Sequence, residues 1–205
     1  MLLGLLCSCA HEPEMRPLYS SRFYMEKDAF LPNGWWFRED DTYGKPTGLR
    51  LQSDAALDED DDRFDERANI FTVQAGDEPV LFSYSGYYEV EDDSIIDVEA
   101  EAAGTGSFSI GVEFYDMERN VVSSRYQGFN ALPASGDKPF KNYRYRLYFL
   151  ANENRKARFA RLIFIVDQNS TLKLHGISLN IAPYDVNRMD STYIKFKEKE
   201  ARQKR

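Results

Sequence analysis

Short apolar segments alternate with polar turns along this chain, and within most segments the apolar positions recur with a period of two. The segment RFARLIFIVDQNSTLKLHGISLNI, residues 158–181, is the one around which the rest is arranged. Leu162, Ile163, Phe164, Ile165 and Val166 follow one another without a polar break, which predicts a central strand covered on both faces. Gln168-Asn169-Ser170 offers short polar side chains that bond to nearby backbone, so the pattern predicts a turn and a hairpin. In the second strand Leu172 and Leu174 face one way, with Lys173 and His175 opposite. The phase then slips by one at His175-Gly176, and Ile177, Leu179 and Ile181 carry the apolar face onward, as a β-bulge would make them do.

The upstream segments repeat this pattern. Pro32-Asn33-Gly34 is a turn signal ahead of Trp35, Trp36 and Phe37, and Gly48 to Gln52 has the length of a short strand. Phe71 and Val73 are in phase, and Pro79 to Tyr88 predicts a strand that ends or bends near Gly86. The clearest alternation runs from Ser94 to Ala103, with Ile96, Val98, Ala100 and Ala102 inward and Asp97, Glu99 and Glu101 outward. After Gly104-Thr105-Gly106, Phe108, Ile110, Val112 and Phe114 face in, while Ser109, Gly111, Glu113 and Tyr115 lie opposite. Asp116 to Asn120 turns the chain into Val121 to Tyr126. Tyr143, Tyr145, Leu147 and Phe149 share one face, and Arg144, Arg146 and Tyr148 the other. Eight to ten strands with almost no helical period predict an all-β fold, an antiparallel β-sandwich, with a short helical tail at the C-terminus. Asp97, Glu99, Glu101 and Glu113 against Arg144, Arg146 and Arg161 predict cross-strand ion pairs on the outer faces.

Composition refines this picture. The 205 residues suit a single sandwich with extensions at both ends, and 13 Tyr and 14 Phe favour strands. A net charge of −8 argues against nucleic acid as a partner. Residues 188–205 hold seven Lys/Arg against three Asp/Glu, so the tail is +4 and the remainder −12. Asp190-Ser191-Thr192 is an N-cap signal for a basic helix within residues 185–205. The acidic run Asp58 to Asp62 lacks the spaced ligands of a calcium loop and reads as solvated.

Both cysteines, Cys7 and Cys9, lie in the first nine residues, so the body has no disulfide, thiolate metal site or cysteine nucleophile. Leu6-Cys7-Ser8-Cys9 resembles a bacterial lipobox, which implies a lipid on Cys9 after cleavage of residues 1–8. Ala10 at the next position implies sorting to the outer membrane, so the expected address is the cell envelope, with the domain held on a membrane by its lipid. Residues 10–22, with two prolines, read as a tether, and residues 23–184 as the sandwich domain. No stretch of about 18 apolar residues is present to span a membrane as a helix.

The stretch YYEVEDDSIIDVEAEAAGTGSFSIGVEFYDMERNVV resembles the middle of jelly-roll carbohydrate-binding modules of the galactose-binding-like group, of the family 4, 9 and 22 type. There an alternating strand precedes one that ends in Tyr-Asp, here Tyr115-Asp116, and a polar turn. NYRYRLYFLANENRKARFARLIFIVDQNSTLKLHGISLNIAP resembles the closing strands of the same group, and the likeness covers Phe23 to Pro183. It implies a jelly roll that binds polysaccharide. Some members hold structural calcium with an acidic pair near the bulge of the last strand. This chain has His175-Gly176 there, which argues against calcium at that position, although backbone carbonyls elsewhere could still bind it, and no other cofactor is expected.

Sugars are held by planar aromatic faces and by charged or amide groups for their hydroxyls. Trp35, Trp36, Tyr88, Tyr115, Tyr126 and Tyr148 are the candidate platforms, with Glu113, Arg125, Arg144 and Arg146 as polar partners. Adjacent residues of a strand point to opposite faces, so at most one of Trp35 and Trp36 is available. With two histidines and no catalytic motif, the expected activity is non-catalytic binding of glycan at the bacterial envelope. The alternative expectation is an assembly lipoprotein whose sandwich contacts an envelope protein. A glycan hydrolase would need two carboxylates facing each other across a cleft.

Overall fold

The computed structural model describes residues 15–21, 34–52, 70–90, 93–131, 133, 140–151 and 154–184. The lipobox with Cys9, the acidic run 58–62 and the basic tail 185–205 lie outside the described residues. Twelve strands are described: β1 (Arg16–Ser21), β2 (Trp35–Arg38), β3 (Gly48–Gln52), β4 (Ile70–Gln74), β5 (Val80–Tyr84), β6 (Tyr88–Glu89), β7 (Ser94–Thr105), β8 (Ser107–Tyr115), β9 (Val121–Asn130), β10 (Lys141–Phe149), β11 (Phe159–Val166) and β12 (Thr171–Pro183). No helix occurs among the described residues.

All pairings are antiparallel, and they form two sheets of six strands. One sheet has the order β10-β7-β12-β4-β3, with β1 joining β12 beyond the end of β4. The other has the order β2-β5-β11-β8-β9, with β6 joining β11 beyond the end of β5. The chain crosses between sheets from β1 to β2, β2 to β3, β4 to β5, β6 to β7, β7 to β8, β9 to β10, β10 to β11 and β11 to β12. Those crossings, with strand orders β10-β7-β12-β4 and β5-β11-β8-β9, make the double Greek key of a jelly roll.

Residues 158–181 therefore do not form the expected hairpin. β11 lies at the centre of one sheet and β12 at the centre of the other, and the turn at 167–170 is a corner between them. Both strands need apolar neighbours on each edge, and separate sheets supply more of these than mutual pairing would. Asn169 takes the left-handed conformation at this corner (φ 57°), which Asn tolerates. The bulge does occur where the phase slips, with the register of β12 against β7 shifting between Leu174 and Gly176. The stretch read as a tether also contributes a strand, since Arg16–Ser21 extends the edge of β12. Pro17 is tolerated because the register of β1 is irregular between Pro17 and Tyr19.

The inward faces follow the predicted phases. Phe71, Val73, Ile96, Val98, Phe108, Ile110, Leu162, Phe164, Leu172 and Leu179 are all buried in one core between the sheets. Phe82 and Phe164 stack with centroids 5.3 Å apart at 11°, and Trp35 packs against both at 5.6 and 6.0 Å. On the outer face of the first sheet, Asp97 is only 2% exposed. Its carboxylate accepts from Arg146 Nη2 at 2.8 Å and from Arg144 Nε at 2.8 Å, and Arg144 also lies 3.3 Å from Glu99. The register sets Arg146 opposite Asp97 and Arg144 opposite Glu99, so the predicted ion pairs form across β7 and β10.

Two corners meet and lock one another. Ser107 N donates to Ser170 Oγ at 3.0 Å, Ala75 N donates to Ser170 O at 3.0 Å, and Ser107 Oγ donates to Asp167. Gly106 (φ 81°) turns the chain from β7 into β8, and Gly104 (φ 155°) brings β7 against the backbone of β12. A Cβ on Gly104 would lie 1.9 Å from the Thr171 carbonyl oxygen, a backbone atom that no side-chain rotation can move. Gly104→Ala is expected to cost about 3 kcal/mol of stability, from the strained φ and the clash together. Urea unfolding followed by far-UV circular dichroism measures it, and an unchanged midpoint would show that β7 bends elsewhere.

Candidate functional site

The outer face of the second sheet carries the densest combination of aromatic and charged side chains among the described residues. Alternation along each strand puts Trp36 and Arg38 of β2, Leu81 and Ser83 of β5, Arg161, Ile163 and Ile165 of β11, Ser109, Gly111, Glu113 and Tyr115 of β8, and Ser124 and Tyr126 of β9 on it. The register aligns Trp36, Ser83, Ile163, Gly111 and Tyr126 in one row across all five strands. Trp36 and Tyr126 thus stand at the two margins, four strand spacings or about 19 Å apart. Between them Ser83, Ile163 and Gly111 form a buried floor, while Tyr126 is 59% exposed. Gly111 is needed in that floor, since a Cβ there would lie 2.9 Å from Tyr126 Cβ and 3.0 Å from Ile163 Cγ1.

Over the floor lies a strut. Arg38 reaches from β2 across the intervening strands and donates from Nη1 to Glu113 Oε1 on β8 at 2.8 Å. Glu113, 2% exposed, also accepts from Tyr115 Oη at 2.6 Å and from Ser124 Oγ at 3.4 Å. Both carboxylate oxygens are engaged, which is what a buried carboxylate requires. The Glu113 hydrogen bond and charge hold the Arg38 guanidinium above its ordinary value, although burial alone would lower it. Arg38 also lies 5.3 Å from the Tyr43 ring. Burial pushes the Tyr43 phenol up, Arg38 opposes this, and the neighbouring Tyr126 adds to it.

Beside the strut, Arg161 is 7% exposed and lies between aromatic rings. Its guanidinium carbon is 4.4 Å from the Tyr87 centroid, 4.8 Å from Trp36 and 5.8 Å from Tyr115. Nε donates to Tyr84 O at 2.8 Å and Nη2 to Ser85 O at 3.3 Å. Arg119, from the β8–β9 turn, approaches the same Tyr87 ring at 4.2 Å. Guanidinium and aromatic groups are therefore layered as Trp36, Arg161, Tyr87 and Arg119, each contact a cation–π pair.

Of the candidate residues, this face brings together Trp36, Glu113, Tyr115 and Tyr126. Trp35 is in the core, as its alternation with Trp36 demands. Tyr88 is half-buried against the core, and Arg125 lies opposite inward-facing Val112 on the edge strand. Arg144, Arg146 and Tyr148 belong to the other sheet, the two arginines on Asp97 and Tyr148 buried with Ile95, Leu150 and Tyr184. Arg38, Tyr43, Tyr87, Arg119, Ser124 and Arg161 were not among the candidates. Arg38 was detectable in principle, because it stands two residues beyond Trp36 and shares its face. Tyr87 and Arg119 lie on loops, where no periodicity marks direction.

A depression of about 460 Å³ lies elsewhere, where β1, β6, β7 and β12 meet, lined by Arg16, Glu89, Asp93 and the apolar Val90, Ile181 and Pro183. Asp93 is already committed there, accepting from Ala151 N at 2.7 Å. None of the candidate residues lines it. Among the described residues no group of three His, Cys, Asp or Glu side chains is placed to hold a metal ion.

No protein-family model matches the chain, and no curated protein matches it. Solved structures that resemble it include the enzymatically active domain of a tailspike protein from bacteriophage CBA120 (14% identity, TM-score 0.44, 73% of this chain and 19% of that one). A cyclase from Fischerella sp. TAU shows 11% identity and a TM-score of 0.47, over 81% of this chain and 92% of that one. An α-L-arabinofuranosidase shows 10% identity and a TM-score of 0.40, over 72% of this chain and 23% of that one. The chain spans less than a quarter of the length of the tailspike domain and of the arabinofuranosidase.

Burial pushes the Tyr115 phenol up to about 12, aided by its hydrogen bond to Glu113 and opposed by Arg161. A pKa raised above the unfolded value of about 10 means the folded state holds the proton longer, so this contribution is intact below pH 10 and is lost as pH rises towards about 12. The stability of Tyr115→Phe is therefore expected to fall less steeply than wild type between those limits, which chemical denaturation at a series of pH values measures. Identical slopes would mean that the Tyr115 phenol titrates normally.

Proposed function

We propose that this protein is a non-catalytic glycan-binding module of the galactose-binding-like jelly-roll type, and that the outer face of the β2-β5-β11-β8-β9 sheet is its binding surface. The carrying observation is the row from Trp36 to Tyr126: two rings at the margins of a face whose middle holds short side chains and the Arg38–Glu113 strut. Aromatic faces stack on the apolar faces of sugar rings, and the Arg38 guanidinium and the exposed Ser124 hydroxyl can exchange hydrogen bonds with sugar hydroxyls. The strands that carry the two rings lie about 19 Å apart, a width that suits several linked sugar residues rather than one. The non-catalytic assignment draws support from Glu113, the buried carboxylate of this face, whose oxygens are both already hydrogen-bonded.

We further propose the cell envelope, and the outer membrane within it, as the location, with a lipid on Cys9 as the anchor. A second reading, that the sandwich binds an envelope protein, is favoured by β9. Among the described residues this ten-residue edge strand pairs only with β8, and Val121 and Val122 are exposed at its start. An exposed edge of that length accepts an added strand from a partner.

Trp36→Ala is expected to abolish saturable binding to soluble polysaccharides in calorimetric titration, while the buried Trp35 keeps the fluorescence of a folded core. If wild type binds no glycan in a broad panel, the sugar reading fails, and cross-linking from envelope extract with the contacts mapped to β9 would support the second reading. Cys9→Ser is expected to move the protein from the membrane fraction to the soluble fraction and to end its labelling by radioactive palmitate. Retention of the label in that variant would rule out Cys9 as the anchor.

A further inference from the structure

We propose that the ligand of this face is an acidic glycan, one bearing carboxylate or sulfate groups, and that the Nε–Nη2 edge of Arg38 takes the anionic group. The proposal rests on the glycan-binding reading and narrows it to a ligand class.

Charge is unbalanced at this face. Arg161 and Glu113 are both buried, and Arg38 is largely so. Glu113 spends its two oxygens on Arg38, Ser124 and Tyr115. Arg161 makes no ion pair among the described residues and is compensated by two backbone carbonyls and three aromatic rings. Arg119 brings a third guanidinium to the same aromatic layer. With Asp40 beside Arg38 and with the exposed Arg119 included, the cluster holds three guanidinium groups against two carboxylates, and buried Arg161 has no carboxylate partner among the described residues, so the excess favours an anion at its mouth. The chain as a whole is −8, but charges beyond about 8 Å are screened at physiological ionic strength, so the local excess decides what binds here.

Arg38 is the group placed to meet that anion. Its Nη1 is committed to Glu113, whereas among the described residues Nε is buried without a hydrogen-bond partner. Asp40 Oδ2 lies 3.4 Å from that Nε, too poorly aimed for a hydrogen bond. Nε and Nη2 form the fork that binds carboxylate or sulfate through two parallel hydrogen bonds. Asp40 is a replaceable occupant. Its side chain is 43% exposed, and its Oδ1 is held by the amides of Thr42 and Tyr43, so its Oδ2 gives up only the long contact. The neighbouring Glu39 is paired with Lys45 at 3.3 Å and does not compete. The buried indole Nε1 of Trp36, also without a partner among the described residues, is a further donor beside the same cluster.

The test compares polymers that differ only in charge. Calorimetric titration of the full chain would use polygalacturonate against its methyl ester, and dextran sulfate against dextran, at 0.05 and 0.5 M NaCl. The expected result is binding of one or both charged polymers at least tenfold tighter than their neutral counterparts, weakening with salt. The preferred member of the two charged polymers distinguishes carboxylate from sulfate. Asp40→Asn keeps the turn-capping oxygen and removes the competing charge. It is expected to raise affinity for the charged polymer about two- to fivefold, the size of a surface ion pair, and to leave the neutral one unchanged. Arg38→Gln is expected to abolish the preference for charge, with circular dichroism confirming the fold. Equal affinity for charged and neutral polymers, or no gain from Asp40→Asn, would overturn the acidic-glycan inference while leaving glycan binding standing. Absence of binding to all four, and to every neutral glycan tried, would overturn both.

Discussion

The constraint on which the rest depends is that β11 is apolar on both faces and must be kept from water on both. Its inner side chains, Ala160, Leu162, Phe164 and Val166, are covered by the opposite sheet, as in any sandwich. Its outer side chains, Arg161, Ile163 and Ile165, are equally buried on a face that in most antiparallel sandwiches is wet. Part of that cover is the Arg38–Glu113 strut, which spans the strands from β2 to β8, and part is the layer of Trp36, Tyr87 and Tyr115 around Arg161. The candidate site is thus an extension of the fold's own solution to burying a two-sided strand.

Each sheet buries one carboxylate on its outer face, and the two are treated differently. Asp97 receives two arginines from β10, with Glu99 balancing the second, so that cluster is closed in charge. It joins neighbouring strands in register and serves as a clasp. Glu113 receives one arginine from a distant strand, one phenol and one hydroxyl, while the adjacent Arg161 leans on carbonyls and rings instead of a carboxylate. The first arrangement leaves nothing for a ligand to satisfy. The second leaves donors unspent at a face flanked by exposed Tyr126, and that difference is the ground on which this face, and not the other, is proposed as the binding surface.

The position of the strands was legible in the sequence because period-two alternation reports which side of its own strand each residue occupies. One of Trp35 and Trp36 in the core and the other outside, the inward rows of β7, β8 and β10, the turn at Asn169 and the bulge at His175 all follow from that local rule, whereas only the structure shows that Trp35 is the inner one. The ion pairs of Asp97 and Glu99 were legible too, since β7 and β10 carry their charges in matching phase.

What alternation cannot report is which strand lies beside which. The joining of β11 to β12 by a corner rather than a hairpin, and the pairing of Arg16–Ser21 with β12, are set by long-range competition for buried edges. Those pairings also sorted the ten candidate binding residues, sending Arg144, Arg146 and Tyr148 to one sheet and Trp36, Glu113, Tyr115 and Tyr126 to the other. Arg38 and Glu113 are separated by 75 residues and meet only because β5 and β11 fill the space between their strands. The sequence by itself determined most of the strands, their faces and an all-β sandwich, but not β1, which lacks alternation. Only the tertiary structure decided which charges and rings share a surface, because that depends on registers between segments far apart in the chain.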